Sequence, residues 1–157
     1  MSQPISNMDR FNLTALTLFS DLYDSFPIPK DIEAQALGAT ASPEEGSDVD
    51  HWKFMALSAD AITWLNEEGF IRYEGPRFGS TFRNVRLTLR GLTILGFVPS
   101  AVKTDVTPET MISKVKRTIA AGAEKAGTEA VKAVLGELFR LAYSPSTAHA
   151  VSALVQV

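Results

Sequence analysis

Between Trp52 and Phe97 the spacing of the apolar residues changes twice, and this limits the chain to few folds. Trp52, Met55, Ala59, Ile62 and Leu65 recur every three or four residues and stop at Gly69, which predicts a helix closed by a left-handed glycine cap. The start of that helix is open: it begins near Trp52, or Ser58 caps a shorter helix over 58–68. After Gly69 the period becomes two. FIRYE and TFRNVRLT are rich in aromatic and β-branched residues and flank Gly75, Pro76 and Gly79, so they predict an antiparallel hairpin with a loop longer than the tightest kind. Strict alternation puts Phe82, Asn84, Arg86 and Thr88 on one face and Arg83, Val85, Leu87 and Leu89 on the other, with Val85 and Leu87 inward. Thr88 then caps a further helix, LRGLTILGF, which Pro99 ends.

Upstream, Phe11, Ala15, Leu18, Phe19, Leu22 and Phe26 lie near one helical stripe, predicting a first helix from about Met8 to Ser25. Pro27 and Pro29 break it. PKDIEAQALG reads as a short second helix, with Pro29 near its first position, Ile32 and Leu37 inward and Gly38 as the stop. Residues 39–50, ATASPEEGSDVD, hold turn formers, small residues and four acids without periodicity, and read as a flexible acidic loop.

The resulting order is helix, helix, helix, hairpin, helix. Residues 58–97 resemble the end of a winged helix-turn-helix domain: WLNEEGFI is similar to its helix-to-wing junction and VRLTLRGLTIL to its returning strand and last helix. LYDSFPIP and LTLRGLTIL also resemble segments of small bacterial and mobile-element proteins. The resemblance covers roughly residues 8–98 and implies an α+β, mostly α fold, with three helices, a β-hairpin wing and a fourth helix. It also implies a double-stranded DNA partner and a role in transcription regulation. One departure is plain: about twelve loop residues, rich in acid, separate the second and third helices, where a compact helix-turn-helix uses three or four.

Net charge sharpens the DNA question. The total is −3, but residues 1–50 hold two basic against nine acidic side chains, while residues 51–103 hold seven basic against four acidic. The hairpin is the basic centre, with Arg72, Arg77, Arg83, Arg86 and Arg90 against Glu74 alone over residues 70–90. A planar guanidinium binds phosphate or a guanine edge through two hydrogen bonds, and Arg77 falls in the expected turn, where a wing tip reaches a groove. The alternative is that these arginines are solvated partners of the acidic front. On the third helix Ser58, Asp60, Thr63, Asn66 and Glu67 are expected outward. They can hydrogen-bond to bases but bring no positive charge, so the candidate nucleic-acid contacts are Arg72, Arg77, Arg83, Arg86, Ser58, Thr63 and Asn66. This weakness of the third helix favours a competing reading, a protein-interaction module of the inhibitor, immunity or assembly kind.

Catalysis finds no support. The chain has no cysteine and only two histidines, His51 and His149, which excludes thiolate chemistry, zinc ribbons and histidine-rich metal sites. His51 beside Asp50 lacks a nucleophile motif, and phosphate loops, dinucleotide fingerprints and nucleophile elbows are absent. No enzyme activity, cofactor or metal is expected. Trp52 reads as core, while Trp64 sits beside the apolar stripe and packs on the first helix or the wing.

The last third is separate. Thr107, Pro108 and Glu109 form a helix-start signature, and residues 108–143 predict an amphipathic helix, or a helix pair if it breaks near Gly127. Ile112, Val115, Ile119, Gly122, Ala126, Leu135 and Leu138 line its apolar side, with small residues four apart that admit a close helix. Because the winged domain over 1–98 closes on itself, this face is expected to form a homodimer; the alternative is that it folds back on the first helix. Residues 99–107 read as a linker and 144–157 as a C-terminal tail. The mean hydropathy is +0.04. MSQPISNMDR shows no targeting pattern and no apolar run reaches the roughly 18 residues of a spanning helix, so a cytoplasmic location without membrane insertion is expected.

Overall fold

The computed structural model describes residues 6–41, 48–96 and 109–143, with the side chains of 41, 48–55, 76–78 and 122–128 excepted. Among the described residues the architecture is α+β and mostly helical. In chain order it comprises α1 (Asn7–Ser25), β1 (Lys30–Glu33), α2 (Ala34–Ala41), α3 (Asp48–Glu67), β2 (Ile71–Phe78), β3 (Thr81–Leu87), α4 (Leu89–Gly96) and α5 (Met111–Ala142). The strands form one antiparallel sheet ordered β1-β3-β2.

α1 starts at Ser6, whose hydroxyl accepts from the Asp9 N–H, and it is the hub of the core. Leu13, Leu16, Leu18, Phe19 and Leu22 are all buried, and so are Asn12 and Thr14. Burial runs almost around α1 because α3, α2 and the sheet cover one side and α5 covers the other. The single predicted stripe was therefore too narrow, and Phe26, placed on it, is exposed.

The segment expected to be the second helix divides. Lys30–Glu33 is a strand pairing with β3, and the helix begins only at Ala34. Backbone pairing along the sheet edge outweighs local helix propensity here. The Glu33 carboxylate then caps α2, accepting from the N–H groups of Gln35 (3.3 Å) and Ala36 (2.6 Å). It also accepts from the Ser80 hydroxyl, while the Ala34 N–H donates to the Ser80 carbonyl, so the hairpin turn is fastened to the start of α2. α2 continues through Gly38 to Ala41, and α3 is already helical at Asp48. Of the supposed loop 39–50, only residues 42–47 lie outside the described helices. α3 is also continuous through Ser58, so the internal cap does not form.

α3 ends as its sequence predicts. Gly69 has φ +83°, the Phe70 N–H reaches the Leu65 carbonyl at 3.0 Å and the Gly69 N–H reaches Asn66 at 3.1 Å, the paired bonds of a Schellman cap. Thr88 starts α4: its hydroxyl accepts from the Gly91 N–H (3.1 Å) and donates to the Gly69 carbonyl (2.6 Å). Arg90 joins three elements. Its guanidinium donates to the carbonyl of Glu68 at 2.9 Å and to that of Ala142 at 3.4 Å, and it lies 4.9 Å and 4.8 Å over the Phe70 and Tyr143 rings. The C-terminal ends of α3 and α5 are thus held by one planar cation.

α5 is a single helix without a break at Gly127, and Thr110 caps it by accepting from the Ser113 N–H, where Thr107 was expected. It folds back along α1 and α4. Ile112, Val115, Leu135 and Leu138 are buried within the chain and Ile119 packs against the same core. This corrects the expectation that these residues meet a second copy: α1 already covers them. The side chains of Gly122 and Ala126, residues 97–108 and residues 144–157 lie outside the described ones. No described helix is long and apolar enough to cross a membrane.

Candidate functional site

Two surfaces carry chemistry: the outer face of the hairpin, and the groove where α3 meets α1 and α5. The hairpin owes its charge pattern to one residue. Asn84 adopts φ +52°, a left-handed conformation that asparagine tolerates better than most side chains, and the register of β3 shifts there against both neighbours. Such a bulge inserts one residue and reverses the parity of the alternation. Phe82, Val85 and Leu87 consequently all point to the core, and Phe82 is fully buried although strict alternation put it opposite Val85. Arg83 and Arg86, expected on opposite faces, are both exposed, as is Arg72. The bulge is held from both sides: the Asn84 N–H donates to Asp31 on β1 at 3.0 Å, and its amide donates to Glu74 on β2 at 2.7 Å.

The arginines are not equivalent. Arg83 stands opposite Glu74 in the register, whereas Arg72 stands directly opposite Arg86. Like charges facing each other across a strand pair repel, and no ion pair joins Arg72 or Arg86 to any described carboxylate. An anion placed between them would relieve that repulsion. Arg90 leaves the basic set, since its guanidinium serves the helix ends. β2 runs on to Phe78, which pairs with Thr81, so the turn is the two residues Gly79 and Ser80. Arg77 is therefore in β2 and not in a loop; its side chain lies outside the described ones.

On α3 the predicted readers separate. Ser58 is 1% exposed, which corrects its placement on the outer face. Thr63 is half-buried and its hydroxyl donates to the Ala59 carbonyl at 3.0 Å, and Asn66 is half-buried too. The exposed stripe is Ala56, Asp60, Trp64 and Glu67, with two acids and no base among them. His51 and Trp52 have side chains outside the described residues.

Trp64 turns toward a groove that sequence reasoning did not find. Its ring meets Phe11 of α1 edge-on at 5.4 Å and Phe139 of α5 at 5.7 Å. The cavity between these helices measures about 740 Å³. No local signal announces it, because each wall belongs to a different helix and only the return of α5 brings them together. A second cavity, of about 540 Å³ between α1, β1 and α2, is lined by Asp21, Asp24, Asp31 and Glu33, which are engaged with Lys30, Lys116, the Asn84 N–H and Ser80 respectively. No cluster of metal-ligating side chains occurs among the described residues. No family model, curated protein or solved structure matches the chain.

Proposed function

We propose that this chain is a winged helix-turn-helix protein that binds double-stranded DNA through its hairpin and acts, without enzymatic activity, in transcription regulation. The element order α1-β1-α2-α3-β2-β3 with the sheet order β1-β3-β2 supports a winged architecture, in which β2 and β3 are the wing. The observation that carries the DNA reading is the Arg72–Arg86 pair: two exposed guanidiniums held opposite each other with no described carboxylate between them. Phosphate contacts of this kind position a protein on the duplex and carry most of its salt-dependent affinity.

A second reading is favoured by α3. An outward stripe bearing Asp60 and Glu67 repels phosphate where a reader helix would meet a groove, and it suits a protein partner. Titration of the full chain into a labelled duplex at 50–200 mM salt separates the two readings. DNA binding through the wing requires affinity that falls steeply with salt. Arg72→Ala combined with Arg86→Ala should then weaken it on all sequences and reduce the slope of log K against log salt by about 2. Affinity that is absent, or indifferent to this double substitution, removes the DNA reading and leaves the protein partner.

A further inference from the structure

We propose that the groove between α1, α3 and α5 is a binding site for a small, uncharged, mainly apolar organic molecule that carries one hydrogen-bonding group. The site is distinct from the hairpin and does not depend on the DNA reading. Its walls are Met8 and Phe11 of α1, Leu57 and Trp64 of α3, and Leu135 and Phe139 of α5. Two of these large apolar residues remain open to water, Met8 at 62% and Trp64 at 38%. A volume of about 740 Å³ falls in the usual range for small-molecule sites, roughly 300–1,000 Å³.

Asn12 points to a ligand. It lines the groove, is only 4% exposed, and its carboxamide takes part in none of the hydrogen bonds among the described residues. It sits in the buried run Asn12–Leu16 with its amide opening onto the groove rather than sealed inside the core. A ligand with one donor or acceptor would supply the missing partner. Charge fixes the rest of the description. Asp60 stands on one bank and Lys132 on the other, both exposed, so the groove presents no net field to select an ion. Among the described residues the lining spans 57–64 on α3 and 132–139 on α5, about 10 Å at 1.5 Å per residue, which accommodates two or three fused rings.

Gly136 provides the test. A Cβ built there meets no atom within 4 Å, and the residue lines the groove, so a larger side chain fills the space without displacing the fold. The probe is N-phenyl-1-naphthylamine, an uncharged aromatic amine with one N–H, titrated into the full chain while energy transfer from tryptophan is followed. Binding should saturate at one probe per chain, and transfer should fall in Trp64→Phe. Gly136→Leu should weaken binding at least tenfold, and Asn12→Leu about fivefold, as expected for one lost hydrogen bond. Both variants should keep the wild-type urea midpoint or raise it, which separates a blocked site from an unfolded chain. Absence of saturable binding, or binding unaffected by Gly136→Leu, overturns the proposal. So does binding that appears only after removal of residues 144–157 or on dilution, because the occupant would then be the chain itself or a second copy.

Discussion

Two helical glycines, Gly91 and Gly136, should respond to the same substitution with opposite signs. In the interior of a helix, Gly→Ala ordinarily stabilises by up to about 1 kcal/mol, because alanine loses less backbone entropy. Gly136 lies on α5 with no atom within 4 Å of a built Cβ, so Gly136→Ala should follow that rule and gain about 0.5–1 kcal/mol. Gly91 lies in α4, pressed on the Phe70 backbone just before β2. A Cβ there falls 2.3 Å from the Phe70 carbonyl oxygen and 3.2 Å from a Leu87 methyl. The oxygen belongs to the backbone and cannot rotate away. An ordinary carbon–oxygen approach is about 3.3 Å, so α4 must withdraw by about 1 Å. That movement loosens the Thr88 N–H bond to the same carbonyl (3.1 Å) and the Thr88 hydroxyl bond to Gly69. Overpacking a core typically costs about 1–3 kcal/mol, and the loosened cap adds to it. After the propensity gain is offset, Gly91→Ala should destabilise by about 2 kcal/mol. Urea denaturation followed by circular dichroism reads this as a midpoint lowered by about 1 M at unchanged slope, with a raised midpoint for Gly136→Ala. A Gly91→Ala protein as stable as wild type would refute the close approach of α4 to the Phe70 backbone.

Arg90 and Asn84 offer further tests. Arg90→Lys should lose about 2 kcal/mol, nearly as much as Arg90→Met, because an ammonium cannot lie flat over Phe70 and Tyr143 while reaching two carbonyls; full rescue by lysine in thermal melts would contradict the clamp. Asn84→Gly should be tolerated within about 0.5 kcal/mol, whereas Asn84→Val should lose about 2 kcal/mol, since a β-branched residue resists φ +52° and cannot donate to Glu74. Equal stability of the two variants, measured by urea midpoint, would mean that the bulge is not pinned by its residue.

Much of the helical content was legible because it is local. The glycine stop at Gly69, the Thr88 cap and the helix–hairpin–helix order follow from period and punctuation within a few residues. Where the reading failed, a non-local partner decided. Lys30–Glu33 looks helical until β3 lies beside it, and Phe82 looks outward until the bulge at Asn84 shifts the parity. The hairpin arginines were legible as a basic cluster, but their division of roles was not. Arg90 is drawn to the ends of α3 and α5, Arg83 stands opposite Glu74, and Arg72 and Arg86 are left facing each other. Ser58 was misplaced because α3 is buried over a wider arc than its strongest apolar residues mark.

By itself the sequence determined the kinds of element apart from β1, many of their boundaries, and the concentration of positive charge on the hairpin, because these depend on propensity, capping and composition along a short stretch of chain. Only the tertiary structure decided what the apolar face of α5 covers. The pattern of Ile112, Val115, Leu135 and Leu138 states that this face must leave water, but periodicity holds no information about the partner, and a second copy would satisfy it as well as α1. Folding back within one chain encloses α1 on both sides and, as a by-product, sets Phe139 against Trp64. The groove and its unpartnered Asn12 exist only because of that choice.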